Sequence, residues 1–156
     1  MAGLTVRELA ERIASKDDSL STITERIRHW TDEDMLTVIG DKNPGTGKKR
    51  LYDPKKALVE ALILTIMSEA VGHAVTTPAF IKVFGTARKD EDFALHSAKG
   101  PGERFLVVAH DRQRGASIGP EWGENLLPSL AVSKFEAHVV LDLWKVHQRA
   151  GVLKDG

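Results

Sequence analysis

The stretch GDKNPGTGKKRLYD, residues 40–53, gathers three glycines, a proline and four Lys/Arg into fourteen positions. Two chemistries use such a composition. One is a nucleotide-binding loop, whose backbone N–H groups surround phosphates; the other is a basic turn that grips phosphates of a different kind. The first fails on spacing. Lys42 stands five residues before Gly47, where a glycine is required, and Lys49 follows Lys48, where the hydroxyl for magnesium belongs. Metal chemistry fares no better. The six histidines (His29, His73, His96, His110, His138, His147) are scattered, and only His138 with Asp142 has the i,i+4 spacing of one helix face. Zinc needs three or four converging ligands, so that pair reads as a surface ion pair. His110–Asp111 after an apolar run is the nearest approach to an acid/base pair, and no nucleophile is read as its partner. Neither an enzyme nor a bound cofactor or metal is expected.

The surviving chemistry is cationic. Between Lys42 and Lys56 six cations (Lys42, Lys48, Lys49, Arg50, Lys55, Lys56) face Asp53 alone, a local charge of +5. The chain as a whole is neutral, with 22 basic and 22 acidic side chains, so bulk attraction to nucleic acid is not supported and the patch must act locally. A length of 156 residues, 42% hydrophobic and 28% charged, fits about one ordinary folded domain, or a small module with a partner segment, and argues against disorder. Without cysteine there are no disulfides, thiolate metal sites or cysteine nucleophiles. The opening MAGLTVRELAERI mixes charges among its apolar residues, unlike a secretory signal. The longest apolar run, ALVEALILTIM, is interrupted by Glu60 and too short to span a bilayer, so a cytoplasmic protein with no membrane partner is expected.

The elements that must position the basic patch are legible from periodicity. Residues 5–14 place Val6, Leu9, Ala10 and Ile13 on one helical face, with Thr5 and Glu8 as a capping box. A polar break, SKDDSLS, precedes a second helix from about Ser21 with Ile23, Ile27 and Trp30 inward, which makes Trp30 a core anchor. MLTVIG and KKRLYD read as the strands of a short hairpin around the Pro/Gly turn. Asp53 and Pro54 open a third, broadly apolar helix closed by Gly72. TTPAFIKVFG reads as a further short helix, and ARKDEDFALHSAKGPGE as a loop with a turn around Phe93 and Leu95. RFLVVAHD is the strongest strand signal, with GASIGPEW returning beside it through DRQRG. SKFEAHVVLDLWKVHQRAG reads as one long terminal helix capped by Ser133 and Glu136 and stopped by Gly151.

Two helices, a basic hairpin and a third helix are the parts of a winged helix-turn-helix. The segments LTVRELAERI, RIRHW and GTGKKRLYDPKKAL, in that order, resemble the MerR-type DNA-binding domain over residues 4–70. The linker ASKDDSLST is longer than the tight turn of that family and carries Asp17 and Asp18. By position, Arg28 matches the arginine of the family's second helix, His29 and Trp30 its aromatic pair, and Arg50 with Tyr52 the wing residues aimed at phosphates. The resemblance implies a sequence-specific DNA-binding transcriptional regulator that binds double-stranded DNA as a homodimer. Thr22, Thr24, Glu25 and Arg28 would face base edges, while Lys48, Lys49, Arg50 and Tyr52 would contact phosphates.

The expected fold is therefore mainly α with short β-hairpins: a winged helix-turn-helix over 1–72, and a C-terminal α+β segment over 73–156 ending in a long helix. The C-terminal segment would serve association and, in such families, sometimes a small-molecule effector. The stripe Phe135, Val139, Leu143 and Val146 would pair across a two-fold axis or pack on the third helix, and Trp122, Trp144 and Phe105 would line a pocket or simply pack. The alternative function is a protein–protein adaptor that shares the winged shape and has no affinity for DNA.

Overall fold

The computed structural model describes residues 2–72, 77–81 and 99–151. Helix α1 (Val6–Ile13) starts at Thr5, whose hydroxyl accepts from the Glu8 N–H while the Glu8 carboxylate accepts from the Thr5 N–H, the reciprocal cap expected of that pair. Helix α2 (Leu20–Asp32) turns Ile23, Ile27 and Trp30 inward, where all three are buried. It ends at Asp32, and two residues on Asp34 takes a left-handed φ of 59°, a conformation that a short polar side chain tolerates.

The hairpin that follows has strands of two residues each, β1 (Val38–Ile39) and β2 (Leu51–Tyr52), paired antiparallel. So short a ladder is unstable alone and has to be held from outside. Leu4 supplies one hold: its N–H and C=O exchange bonds of 2.9 and 2.7 Å with Tyr52, adding a bridge from the segment before α1. The buried Glu60, from the helix that follows the hairpin, supplies another by accepting from the Thr37 N–H at 2.7 Å and the Thr37 hydroxyl at 2.9 Å. A carboxylate taken out of water needs such donors to repay its lost hydration.

Helix α3 (Lys56–Val71) begins where the Asp53 carboxylate accepts from the N–H groups of Lys55 and Lys56, and it stops at Gly72 with φ 83°. It is buried on nearly every side. One apolar cluster runs from Leu9 and Trp30 through Leu62 and Ile63 to Leu106, Val108, Leu143 and Val146, so α3 carries the core between the N-terminal helices and the C-terminal sheet. Fully burying each such aliphatic side chain contributes about 1.5–3 kcal/mol. A helical stretch at 77–81, α4, adds the buried Phe80. The rest of the short helix expected to run to Gly85, and the turn around Phe93 and Leu95, fall outside the described residues.

The C-terminal part departs from a mainly helical fold with short hairpins. Strands β3 (Arg104–Asp111) and β4 (Gly115–Trp122) pair over eight residues each, and β5 (Ala137–Asp142) pairs with the other edge of β3, giving a three-stranded antiparallel sheet of order β4-β3-β5. The molecule is mixed α/β. Helix α5 (Gly123–Val132) connects β4 to β5, and α6 (Leu143–Ala150) closes the chain's described part. The single long terminal helix is thus corrected to a strand followed by a short helix. β3 would otherwise leave a row of unpaired backbone groups, and the β-branched run AHVVLD meets it with Val139 opposite Val108 and Leu141 opposite Leu106. Asp142 makes the change of direction, accepting from the Trp144 N–H at 3.0 Å as the N-cap of α6. Ser133 closes α5 as its C-cap instead of opening a helix.

Candidate nucleic-acid interface

The side chains expected to meet DNA divide into two groups. On α2, Thr22, Glu25 and Arg28 are exposed and Thr24 is half-buried, so one polar face of the helix stands open to solvent. Arg28 and Glu25 lie 4.0 Å apart, a loose i,i+3 pair that leaves most of both side chains in water. At the hairpin tip Lys48 and Lys49 are exposed, on a turn where Gly45 and Gly47 take φ of 89° and 79°, values that few other residues adopt. Lys48, Lys49, Lys55 and Lys56 make no ion pair among the described residues.

Arg50 and Tyr52 do different work from that expected. The Arg50 side chain is only 22% exposed: its Nε donates to the Lys42 carbonyl at 2.6 Å, one terminal nitrogen donates to Asn43 Oδ1 at 3.1 Å, and Asp32 lies 3.9 Å away. It braces the loop. Lys42 does the same, donating to the Asp32 carbonyl at 3.1 Å and pairing with Asp34 at 2.9 Å. Two of the six cations are therefore engaged with the acidic end of α2, and the loop they belong to is clipped against that helix.

Tyr52 is 0% exposed, with its hydroxyl 2.7 Å from Thr31 Oγ1, which itself donates to the Ile27 carbonyl at 2.6 Å. Its phenol is a core strut and is withdrawn from the phosphate contacts. Lys42 belongs to the expected cationic patch, whereas Asp32 and Thr31 carry no expected role, and their signal in the sequence is the acidic run TDED at the end of α2 opposite a basic loop.

The electrostatics tie the tip to α1 as well. The Thr5 backbone and hydroxyl bonds, followed by the charges of Arg12 and Lys49, hold the Glu8 carboxyl below the usual carboxylate range. Lys49 thus lies near enough to α1 for its charge to be felt there, while Lys42 and Arg50 fix the base of the same loop to α2.

Elsewhere, His138 and Asp142 are not neighbours on a helix: both lie on β5, His138 Nε2 is 2.7 Å from Ser133 Oγ, and Asp142 caps α6. Ser133 and His138 line a shallow cleft between α5 and the sheet with Ser117, Ser129 and Phe135. Gly115–Gly119, GASIG, fits the G-x-S-x-G spelling of a nucleophile elbow. An elbow holds its serine on a sharp turn from strand to helix, whereas Ser117 lies mid-strand, paired with Ala109. Of the aromatic trio, Trp122 is exposed and lies under the Arg104 guanidinium at 3.5 Å, while Phe105 and Trp144 are half-buried. No group of three His, Asp or Glu that could hold a metal occurs among the described residues, and no helix there is long and apolar enough to cross a membrane. The chain matches no protein-family model and no curated protein.

Proposed function

We propose that the chain is a sequence-specific DNA-binding transcriptional regulator of MerR-like, winged helix-turn-helix type. The observation that carries this reading is the clipped loop: Lys42 and Arg50 tie the hairpin to the C-terminal end of α2, and the unpaired Lys48 and Lys49 project from its tip. A helix with an open polar face and a rigidly held basic turn beside it can meet one duplex together. Thr22, Thr24, Glu25 and Arg28 would take base edges in the major groove, and the tip lysines would take the flanking phosphates. Phosphate contacts fix register without carrying sequence, which suits flexible lysines on a glycine turn.

Selection of bound sequences from a random duplex pool tests the reading. An enriched palindromic sequence is expected, because a homodimer would present two copies of α2 to two half-sites. A pool that stays unenriched, with no salt-sensitive retention of any duplex, overturns it.

One observation favours the adaptor reading. Residues 1–72 hold eleven Lys/Arg against twelve Asp/Glu, and the exposed Asp17 lies in the α1–α2 linker, so the field around this half is not attractive to DNA overall. Replacing Lys48 and Lys49 together separates the two. A regulator loses its DNA retention, whereas an adaptor had none and keeps its protein partner.

A further inference from the structure

The cleft between α5 and the sheet is floored by residues too small to fill it. In the β3–β4 register Ala109 lies opposite Ser117 and Val107 opposite Gly119, so little side chain rises from that part of the sheet. α5 packs over β3 and β4 and contributes Ser129 and Leu130, both half-buried, yet a hollow of about 190 Å3 remains. An apolar hole of about 150 Å3 is enough to admit benzene. A Cβ added at Gly119 would meet no atom within 4 Å, so that position opens on free space. Of the stripe expected to dimerise, Phe135 lines this cleft, while Leu143 and Val146 are buried in the core.

The polar groups around the hollow have bonding capacity to spare. The Ser117 and Ser129 hydroxyls make no hydrogen bond among the described residues. Ser129 thus forgoes the carbonyl four residues earlier, the usual acceptor for a helical serine. At one end Ser133 Oγ accepts from the Phe135 N–H at 3.2 Å and lies 2.7 Å from His138 Nε2, which fixes the imidazole and leaves its Nδ1 without a partner among the described residues. No Lys or Arg lines the cleft, and its one carboxylate, Glu121, accepts from the Trp122 N–H at 3.0 Å. We propose that this cleft binds an uncharged single-ring compound bearing hydroxyl groups, of the phenol or resorcinol kind. Val107, Leu130 and the Phe135 ring take its apolar faces, and the serine hydroxyls with His138 Nδ1 pair with its own hydroxyls. A negatively charged ring is disfavoured, because no cation of the cleft repays its lost hydration and Glu121 repels it. The site lies in the C-terminal sheet and does not depend on DNA binding.

Titration of the isotope-labelled full chain with phenol and with resorcinol, followed by amide resonances, is the test. Those of Ser117, Gly119, Ser129 and His138 should move together and saturate with a dissociation constant of about 1 mM, weak because so few atoms are buried. Benzoate, a ring with a negative charge, should bind at least about tenfold more weakly. Gly119→Val plugs the hollow at a strand position that suits a β-branched residue; it should keep the native circular dichroism and lose the binding. Ser117→Ala with Ser129→Ala adds no bulk and should weaken binding about tenfold, the worth of two hydrogen bonds. Phenol and resorcinol that both leave these amides unmoved overturn the proposal. So does binding that survives in folded Gly119→Val, which would place the ring elsewhere. Full affinity in the double serine variant, or benzoate held as tightly as phenol, overturns it as well.

Discussion

Helices α3 and α5 are both rich in aliphatic residues and have opposite surroundings. In α3, eleven of sixteen residues are buried, including Glu60, whose carboxylate is satisfied by Thr37. In α5 none is buried, and Leu127 and Val132 lie in water. The difference is one of neighbours. α3 packs against α1 on one side and against β5 and α6 on the other, whereas α5 packs on β3 and β4 with its outer residues exposed. Apolar content alone therefore does not tell a central helix from an unfinished surface. The N-terminal half has a filled core with polar side chains exposed on α2, and the C-terminal half leaves Leu127 and Val132 exposed on α5.

The largest effect is expected in α3. Leu64→Ala removes a fully buried side chain and should cost about 2–5 kcal/mol in denaturant unfolding, because the helix is enclosed and the cavity cannot collapse freely. Leu126→Ala in α5, half-buried, should cost less than about 1.5 kcal/mol. Equal losses would contradict the assignment of α3 as the centre of the core.

Tyr52→Phe comes next. It strips the hydroxyl from the bond with Thr31 and should cost about 1–2 kcal/mol of stability. The folded variant should keep the wild-type salt dependence on DNA, because the hydroxyl faces the core. A lowered salt slope would return Tyr52 to the phosphate contacts.

In the C-terminal half, the Arg114 side chain, then its backbone N–H, hold the nearly enclosed Asp111 carboxyl below the usual carboxylate range. A depressed folded pKa stabilises the native state above the unfolded value of about 4, and that contribution is lost as pH falls through the folded value. Asp111→Asn should therefore lower the melting temperature at pH 7 and flatten its decline toward acid, measured by thermal melts between about pH 7 and pH 3. Parallel curves for the two proteins would show that Asp111 carries no acid-linked stability. The smallest effect on folding belongs to the tip lysines: Lys48→Ala or Lys49→Ala should leave stability within about 0.5 kcal/mol.

The same contrast explains what the sequence made legible. Where one local rule decided an element, it was readable: the Thr5–Glu8 box, the inward spacing of Ile23, Ile27 and Trp30, the glycine stop at Gly72, and the β3–β4 hairpin through DRQRG all correspond to the structure. Where a distant partner decided, it was not. The run AHVVLD has helical spacing toward Leu143 and Val146, and only the open edge of β3 makes it a strand. α5 contains Pro128 and has no side-chain cap at its start, so no local signal announces it; its first residue, Gly123, sits where a Cβ would come within 1.8 Å of the Gly102 carbonyl oxygen. At the candidate site, Lys48 and Lys49 were readable as a basic turn, while the inward turn of Tyr52 and the bracing by Arg50 depend on Thr31 and Asp32, about twenty residues earlier in the chain.

The DNA-binding proposal rests on the tip of the first hairpin, and the salt dependence of duplex binding tests it most directly. Titrating a labelled duplex by fluorescence anisotropy at several salt concentrations should give a log–log slope that becomes shallower by about one for Lys48→Ala and by about two for Lys48→Ala with Lys49→Ala, with folding intact. A slope identical in wild type and double variant, or no salt-sensitive binding in either, would rule out phosphate contacts by the tip lysines.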